Sequence, residues 1–452
     1  MRSRIPKLLH PLCGRAMIGW PVAAARAAGA GKIVVVDSPK RPLQDELADD
    51  IVVAIQEQSL GTGDAVRAAA EHFTAGTVVV LNGDVPLLTA ETIVALAAAH
   101  EADGAAATVA TVVLDDPAGY GRVVRDGDGN VAKVVETKKP GDATVEQLRI
   151  REVNAGLYAF DGALLGPALE RIGTDNSQGE YYLPDVLAVL AADRARVYAY
   201  ALDDPLETFN INDRRELAHG RAIAQRRICE THMLAGATIV NPEATVIDVD
   251  VTLAEDVVVA PFTSLHGATS VAAGSTIGPH STLIDARVGE GARVLHSYVV
   301  DATIGNKVSV GPFAYLRPGT VLRDGSKAGT FVEIKNSDVG AGSKVPHLSY
   351  IGDADIGEGT NIGAATITAN YDGFNKHRTT IGSGVKTSVD TTLVAPVELG
   401  DDSYTAAGSV ITKDVPEGSL GVARARQENV DGYADKRRGQ QKDAATDGKQ
   451  HG

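Results

Sequence analysis

Cysteine and aromatic side chains are scarce in this 452-residue chain, which has two Cys, one Trp and seven Phe against 48 Gly. Two cysteines, Cys13 and Cys229, exclude a disulfide framework and point to a reducing compartment, the cytoplasm. A basic excess is also missing. The formal net charge of -15 leaves no field to draw in phosphodiesters, so nucleic acid is not expected as a partner. Small anionic substrates need only a few local cations and are not excluded. No apolar run approaches membrane-spanning length, and Arg15 and Arg26 break the N-terminal stretches that could mimic a targeting peptide. With few aromatics, the cores must be filled by Val, Ile, Leu and Ala, and the glycines imply frequent tight turns. The length favours two or three domains over one core.

Two periodicities divide the chain. Residues 1–212 alternate aliphatic strands, IVVVD (33–37), TVVVLNGD (77–84) and AAATVATVVL (105–114), with helical stretches such as TAETIVALAAAHEADG. That alternation predicts an α/β sheet with ligands at the carboxyl ends of its strands, where GDVP (83–86) falls. Residues 213–236 read as a linker helix closed by Gly236. Beyond it the period becomes six: Leu253, Val259, Leu265, Val271, Ile277 and Leu283, then Ile304, Val310, Leu316 and Leu322, then Leu399, Thr405 and Ile411. Helices repeat near 3.6 residues and strands at 2, so neither explains a hexad; a parallel β-helix over 237–430 does. A β-sandwich with regular turns would not keep six repeats without a slip. The tail, 431–452, ending ADKRRGQQKDAATDGKQHG, is too polar to bury a face and reads as disordered.

An ordered series of motifs carries a resemblance: LGTGDA (60–65), GDVPLL (83–88), GYGR (119–122), EVNAG (152–156), LRPGT (316–320), FVEIKNS (331–337), PHLSYIGDADIG (346–357), NIGA (361–364) and TANYDGFNKHRT (368–379). The chain resembles the bifunctional N-acetylglucosamine-1-phosphate uridyltransferase/glucosamine-1-phosphate acetyltransferase family from residue 1 to about residue 430. The resemblance implies a Rossmann-like nucleotidyltransferase domain followed by a left-handed hexapeptide β-helix. It implies synthesis of UDP-N-acetylglucosamine for peptidoglycan precursors by a cytoplasmic homotrimer, with Mg²⁺ as cofactor and UTP and acetyl-CoA as co-substrates. The family begins with a strand and a loop of the form L-A-A-G-x-G-T-R-M, and Met1 aligns with the Met that closes it. The expectation is therefore a start codon upstream or, as the alternative, an acetyltransferase whose truncated first site is inactive.

For the first reaction the resemblance places Asp84 and Asn212 as Mg²⁺ ligands and Lys7 against the phosphates. Gln56, Gly61 and Thr62 match residues that read uracil, and Asn82 lines the nucleotide. Gly121, Glu136 and Asn154 match the sugar-binding set. Taken singly, Asp84 reads equally as a turn cap, and Lys7 and Glu136 as solvated charges.

For the second reaction the resemblance makes His347 the base that takes the ammonium proton, with Glu333 orienting it. Arg317, Lys335 and Lys376 match residues that hold the sugar phosphate, with Tyr350, Asn361 and Asn370 completing the pocket. Acetyl-CoA is expected along Ala364, Asn370, Tyr371, Val389, Ala407 and Arg424. Where the family reads G-S-D-T this chain reads SVDT (388–391), so Val389 replaces a hydroxyl. Other sugar-nucleotide pyrophosphorylases lack the motifs around PHLSY and NYDG. A β-helical scaffold with a vestigial first domain would show no acetyl transfer. A metal hydratase would need a His cluster, and His266, His280, His296 and His347 show no repeated spacing.

Overall fold

The structure, a computed structural model, describes residues 1–73, 75–137, 139 and 141–447, without the side chains of 442–447. The chain forms two compact units. The first comprises Met1–Ala235, Asn241–Val251 and Leu265–Gly267; the second comprises Gly236–Val240, Thr252–Ser264 and the chain from Ala268 onward.

In the first unit the strand Glu152–Asp161 is central, antiparallel to Thr77–Val80, Ala107–Val113 and Arg122–Arg125. Val197–Ala201 lies parallel to Ala107–Val113 on the far side. Helices cover this sheet because their termini are well specified. Thr89 accepts from the Thr92 amide at the start of Ala90–Asp103, and Gly104, at φ 61°, ends that helix in the left-handed region. Val109, Phe160, Leu165 and Leu187 are fully buried in one cluster, and Leu96 with Ala110 and Ala159 in another. Val34–Asp37 pairs in parallel with Val52–Ile55 as a separate two-stranded sheet. A cavity of about 670 Å³ is lined by Val34 and Val36 of this pair and by Val78 and Val80 of the larger sheet. The sequence pattern predicts one continuous sheet; among the described residues these strands are instead divided between separate sheets, and valines of both line that cavity.

The helix Arg214–Leu234 begins with a reciprocal cap. Asp213 accepts from the Arg215 and Glu216 amides while Glu216 accepts from the Asp213 amide. Gly236, at φ 101°, follows its end.

The second unit is a left-handed parallel β-helix with three stacks of short strands. One stack aligns Leu253, Val271, Val288, Ile304, Leu322, Val339, Ile356, Ile381 and Leu399 rung by rung. Each of these is 9 % exposed or less, so one aliphatic per face fills the prism. The spacing varies between rungs because corners shorten or, at 371–377, a loop is inserted. Corner residues commonly sit in the left-handed region, including Phe262, His280, His296, Phe313 and Phe331 at φ 45° to 60°. These five form a ring column with centroid spacings of 4.6–5.2 Å. His280 and His296, which spacing alone left unrelated, thus stack at 5.1 Å because the coil between them is short. No group of three or more His, Cys, Asp or Glu among the described residues could hold a metal.

Composition predicts disorder from 431, whereas the structure has a helix at Tyr433–Asp447, exposed throughout as far as residue 441. Ala, Lys, Arg and Gln favour helix without any need for a buried face. Residues 448–452 lie outside the described residues.

Candidate active sites

The strand Thr77–Val80 delivers Asn82 and Asp84 just beyond its carboxyl end, and the cap of the Arg214–Leu234 helix delivers Asn212. Lys7, on the one-turn 3-10 helix Lys7–Leu9, spans them: Nζ lies 2.6 Å from Asp84 Oδ2 and 2.7 Å from Asn212 Oδ1. The Ile211 amide donates to the Asp84 carbonyl, and Glu216 accepts from the Asn212 amide at 2.6 Å, so the backbone of both residues is fixed. Two oxygens therefore converge on one cation. An all-oxygen pair suits Mg²⁺, whose other ligands would come from phosphate and water.

Gln56 donates to the Gly61 carbonyl at 3.1 Å and to Asp64 at 2.8 Å, which gathers it with the loop that starts the helix Thr62–Ala68. Gly61 sits at φ 116°, and a Cβ there would meet the Tyr181 carbonyl, so the loop needs glycine. The Thr62 hydroxyl accepts from the Leu183 amide at 3.0 Å. Asn154 donates to Tyr158 Oη and accepts from the Gly156 amide, and its own amide donates to the Gly121 carbonyl. A Cβ on Gly121 would come 2.9 Å from Val134 and 3.5 Å from Glu136 Oε1, so Gly121, Glu136 and Asn154 are neighbours. A Cβ on Gly156 would strike Asn82 Nδ2 at 2.5 Å, which ties Asn82 to the same group.

In the β-helix, stacking replaces sequence proximity. The His347 carbonyl accepts from the Ala365 amide, the Ala364 carbonyl from the Asp390 amide and the Val389 carbonyl from the Gly408 amide. One corner therefore runs from exposed His347 through Ala364 and Val389 to Ala407 over successive coils. Val389 is 52 % exposed, so its missing hydroxyl faces the surface along this line. Tyr371 and Lys376 bridge across the base of the inserted loop, and the Asn370 carbonyl accepts from the His377 amide. Asn361 stands exposed between Lys344 and Lys386, one rung from each. Arg424 is exposed near the end of the prism.

Glu333 is aligned with Tyr350, whereas His347 is aligned with Thr330 in a different stack. The Glu333 carboxylate instead accepts from Arg317 Nη1 at 2.8 Å, and no hydrogen bond among the described residues joins it to His347. Sequence reasoning assigned Glu333 to the histidine; the register gives it to the arginine. Lys335 lies 3.6 Å from Asp353, a buried carboxylate that the sequence reading passed over. Its only signal was a place inside PHLSYIGDADIG.

Comparison with known proteins shows the family of the chain. Residues 1–126 match the MobA-like NTP transferase domain. The bifunctional protein GlmU of Streptomyces coelicolor is 52% identical over 446 residues, spanning 97% of this chain and 92% of that protein. The protein of the same name from Kineococcus radiotolerans is 51% identical over 440 residues, 96% of this chain and 89% of its own length. That from Mycobacterium tuberculosis is 47% identical over 449 residues, 97% and 90% respectively. With identity of this order sustained across both units, the chain belongs to the family of bifunctional GlmU proteins.

Proposed function

We propose that this chain makes UDP-N-acetylglucosamine in two steps, acetylating glucosamine 1-phosphate in the β-helix and then transferring uridylate to the product in the α/β unit. What supports this reading is membership of the bifunctional family over both units, together with the Lys7–Asp84–Asn212 convergence in the first and, in the second, an exposed His347 and an Arg317–Glu333 pair. In acetyl transfer the amine nitrogen attacks the thioester carbonyl, His347 removes the ammonium proton and the CoA thiol leaves. Arg317, Lys335 and Lys376 place cations for the sugar phosphate. In uridylyl transfer an oxygen of N-acetylglucosamine 1-phosphate bonds to the α-phosphorus of UTP, and the bond to the β-phosphate breaks to release pyrophosphate. Lys7 offsets the phosphate charge, while Gln56, Gly61 and Thr62 meet the base and Gly121, Glu136 and Asn154 the sugar. Asp84 and Asn212 would hold a Mg²⁺, which when bound neutralises charge on the phosphates.

The product feeds cell-envelope polysaccharide synthesis, and the copies assemble as a homotrimer through the β-helix in the cytoplasm. Two buried free cysteines suit a reducing compartment, and no helix among the described residues is long and apolar enough to cross a membrane. Both reactions should be assayed on one preparation, with pyrophosphate release and CoA release as readouts. His347→Ala should abolish CoA release and spare pyrophosphate release. Absence of pyrophosphate release from the parent chain would reduce the proposal to acetyl transfer alone.

A further inference from the structure

Asp353 occupies a corner of the β-helix at φ 51° and is 5 % exposed. Its amide donates to the Lys335 carbonyl at 3.0 Å and its carbonyl accepts from the Thr379 amide at 3.1 Å, so its main chain is held by the coils on either side. The carboxylate accepts from Asn336 Nδ2 at 2.6 Å through one oxygen and from Asn370 Nδ2 through the other. Lys335 Nζ stands 3.6 Å away. Burial opposes ionisation here, but the two amide hydrogen bonds and the charges of Lys335 and Lys376 outweigh it and hold the carboxyl below its ordinary value.

An ionised carboxylate can only accept. Asn370 must therefore turn its NH₂ toward Asp353, which leaves Oδ1 as the free end of the amide. Among the described residues that oxygen accepts no protein hydrogen bond. Gly352 makes the arrangement possible, since a Cβ there would lie 2.7 Å from Tyr350 Cζ and 2.9 Å from Asn370 Nδ2. Thr368 Oγ1 accepts from the Gly352 amide at 2.7 Å and donates to the Gly352 carbonyl at 3.0 Å, which locks the glycine in place.

We infer that Asp353 is a positioning residue of the acetyltransferase site, orienting Asn370 so that it offers an acceptor oxygen to the N–H and O–H donors of an amino-sugar phosphate. The inference rests on the acetyl-transfer reading above. An acceptor at that point favours the free amine, with its several N–H bonds, over the acetylated product, which keeps one.

The test compares Asp353→Asn with the double variant Asp353→Asn/Asn370→Asp. The single change lets the facing amide turn either way. The double change exchanges donor and acceptor, restoring the bond while still leaving a free oxygen at position 370. Asp353→Asn should raise KM for glucosamine 1-phosphate about tenfold, the size of one hydrogen bond to a charged group. It should leave uridylyl transfer by the same preparation unchanged, and the double variant should recover most of the loss. A KM within twofold of the parent, a double variant no better than the single one, or parallel loss of uridylyl transfer and thermal stability would each overturn the proposal. A parent chain that does not acetylate glucosamine 1-phosphate at all would instead refute the reaction assignment.

Discussion

Replacing Lys7 by Met tests the α/β site most directly, because the thioether keeps the length and packing of the lysine stem while removing its charge. Lys7 Nζ makes two short charge-assisted contacts, 2.6 Å to Asp84 and 2.7 Å to Asn212. Such bonds contribute about 1.5–3 kcal/mol when buried. The side chains of Lys7 and Asp84 are 33 % and 22 % exposed, so solvent screening reduces the net contribution to about 1–2 kcal/mol. That is small against the ~5–15 kcal/mol that holds a domain folded, so the variant should fold. Catalysis should suffer more. Removing one preorganised cation or donor from a transition state that gathers negative charge costs about 10²–10³-fold in rate, equivalent to ~3–4 kcal/mol. The assay is pyrophosphate release from UTP and N-acetylglucosamine 1-phosphate with Mg²⁺, alongside acetyl transfer by the same sample as an internal control. kcat/KM for the first should fall at least a hundredfold with the second unchanged. Uridylyl transfer within threefold of the parent would refute a phosphate-facing role for Lys7, and equal losses in both reactions would show that the change had unfolded the protein.

Three further outcomes follow from the packing and the charges. Ile277 is fully buried in the prism, and Ile277→Ala should lower the unfolding free energy by about 2–5 kcal/mol in urea titration. A cost under 1 kcal/mol would mean that the coils close over the gap. The His266 ring is 3.1 Å from Asp248; their hydrogen bond raises the histidine's pKa, and with the Gly267 amide it outweighs burial to lower that of the aspartate. A raised histidine stabilises fully below its unfolded value of about 6.5 and loses this as pH rises through its folded value, while a lowered aspartate stabilises above about 3.9 and loses this as pH falls. Asp248→Asn should therefore cost most stability between about pH 4 and 6.5, and an equal cost at pH 5.5 and 8.5 would show that the pair is not coupled to folding. Val389→Ser should lower KM for acetyl-CoA by a few-fold, one neutral hydrogen bond, with kcat little changed; unchanged KM and kcat would remove Val389 from the acetyl-CoA path.

Much of the architecture was legible along the chain because burial is encoded locally. Leu253 and Val259, and again Val271 and Ile277, stand six residues apart because each face of the coil sends one side chain inward, and all four are buried. Thr89 and Gly104 announce a helix through groups that satisfy its terminal amides and carbonyls. Residues within one motif are neighbours for the simpler reason that they are close in sequence, as Gln56 and Gly61 are. Convergence over distance was not legible in spacing or periodicity, and for Lys7, Asp84 and Asn212 the sequence offered it only through the family resemblance. Lys7 meets partners 77 and 205 residues away, and Glu333 goes to Arg317 rather than His347 because the register aligns it with Tyr350. His280 meets His296, and Asp353 collects two amides, only because unequal corners set which residues of adjacent coils coincide. The sequence by itself determined which side chains are buried and which kinds of element form, since those depend on local hydrophobic period and capping. Tertiary structure alone decided which polar groups face one another, since that depends on register summed over many coils and turns.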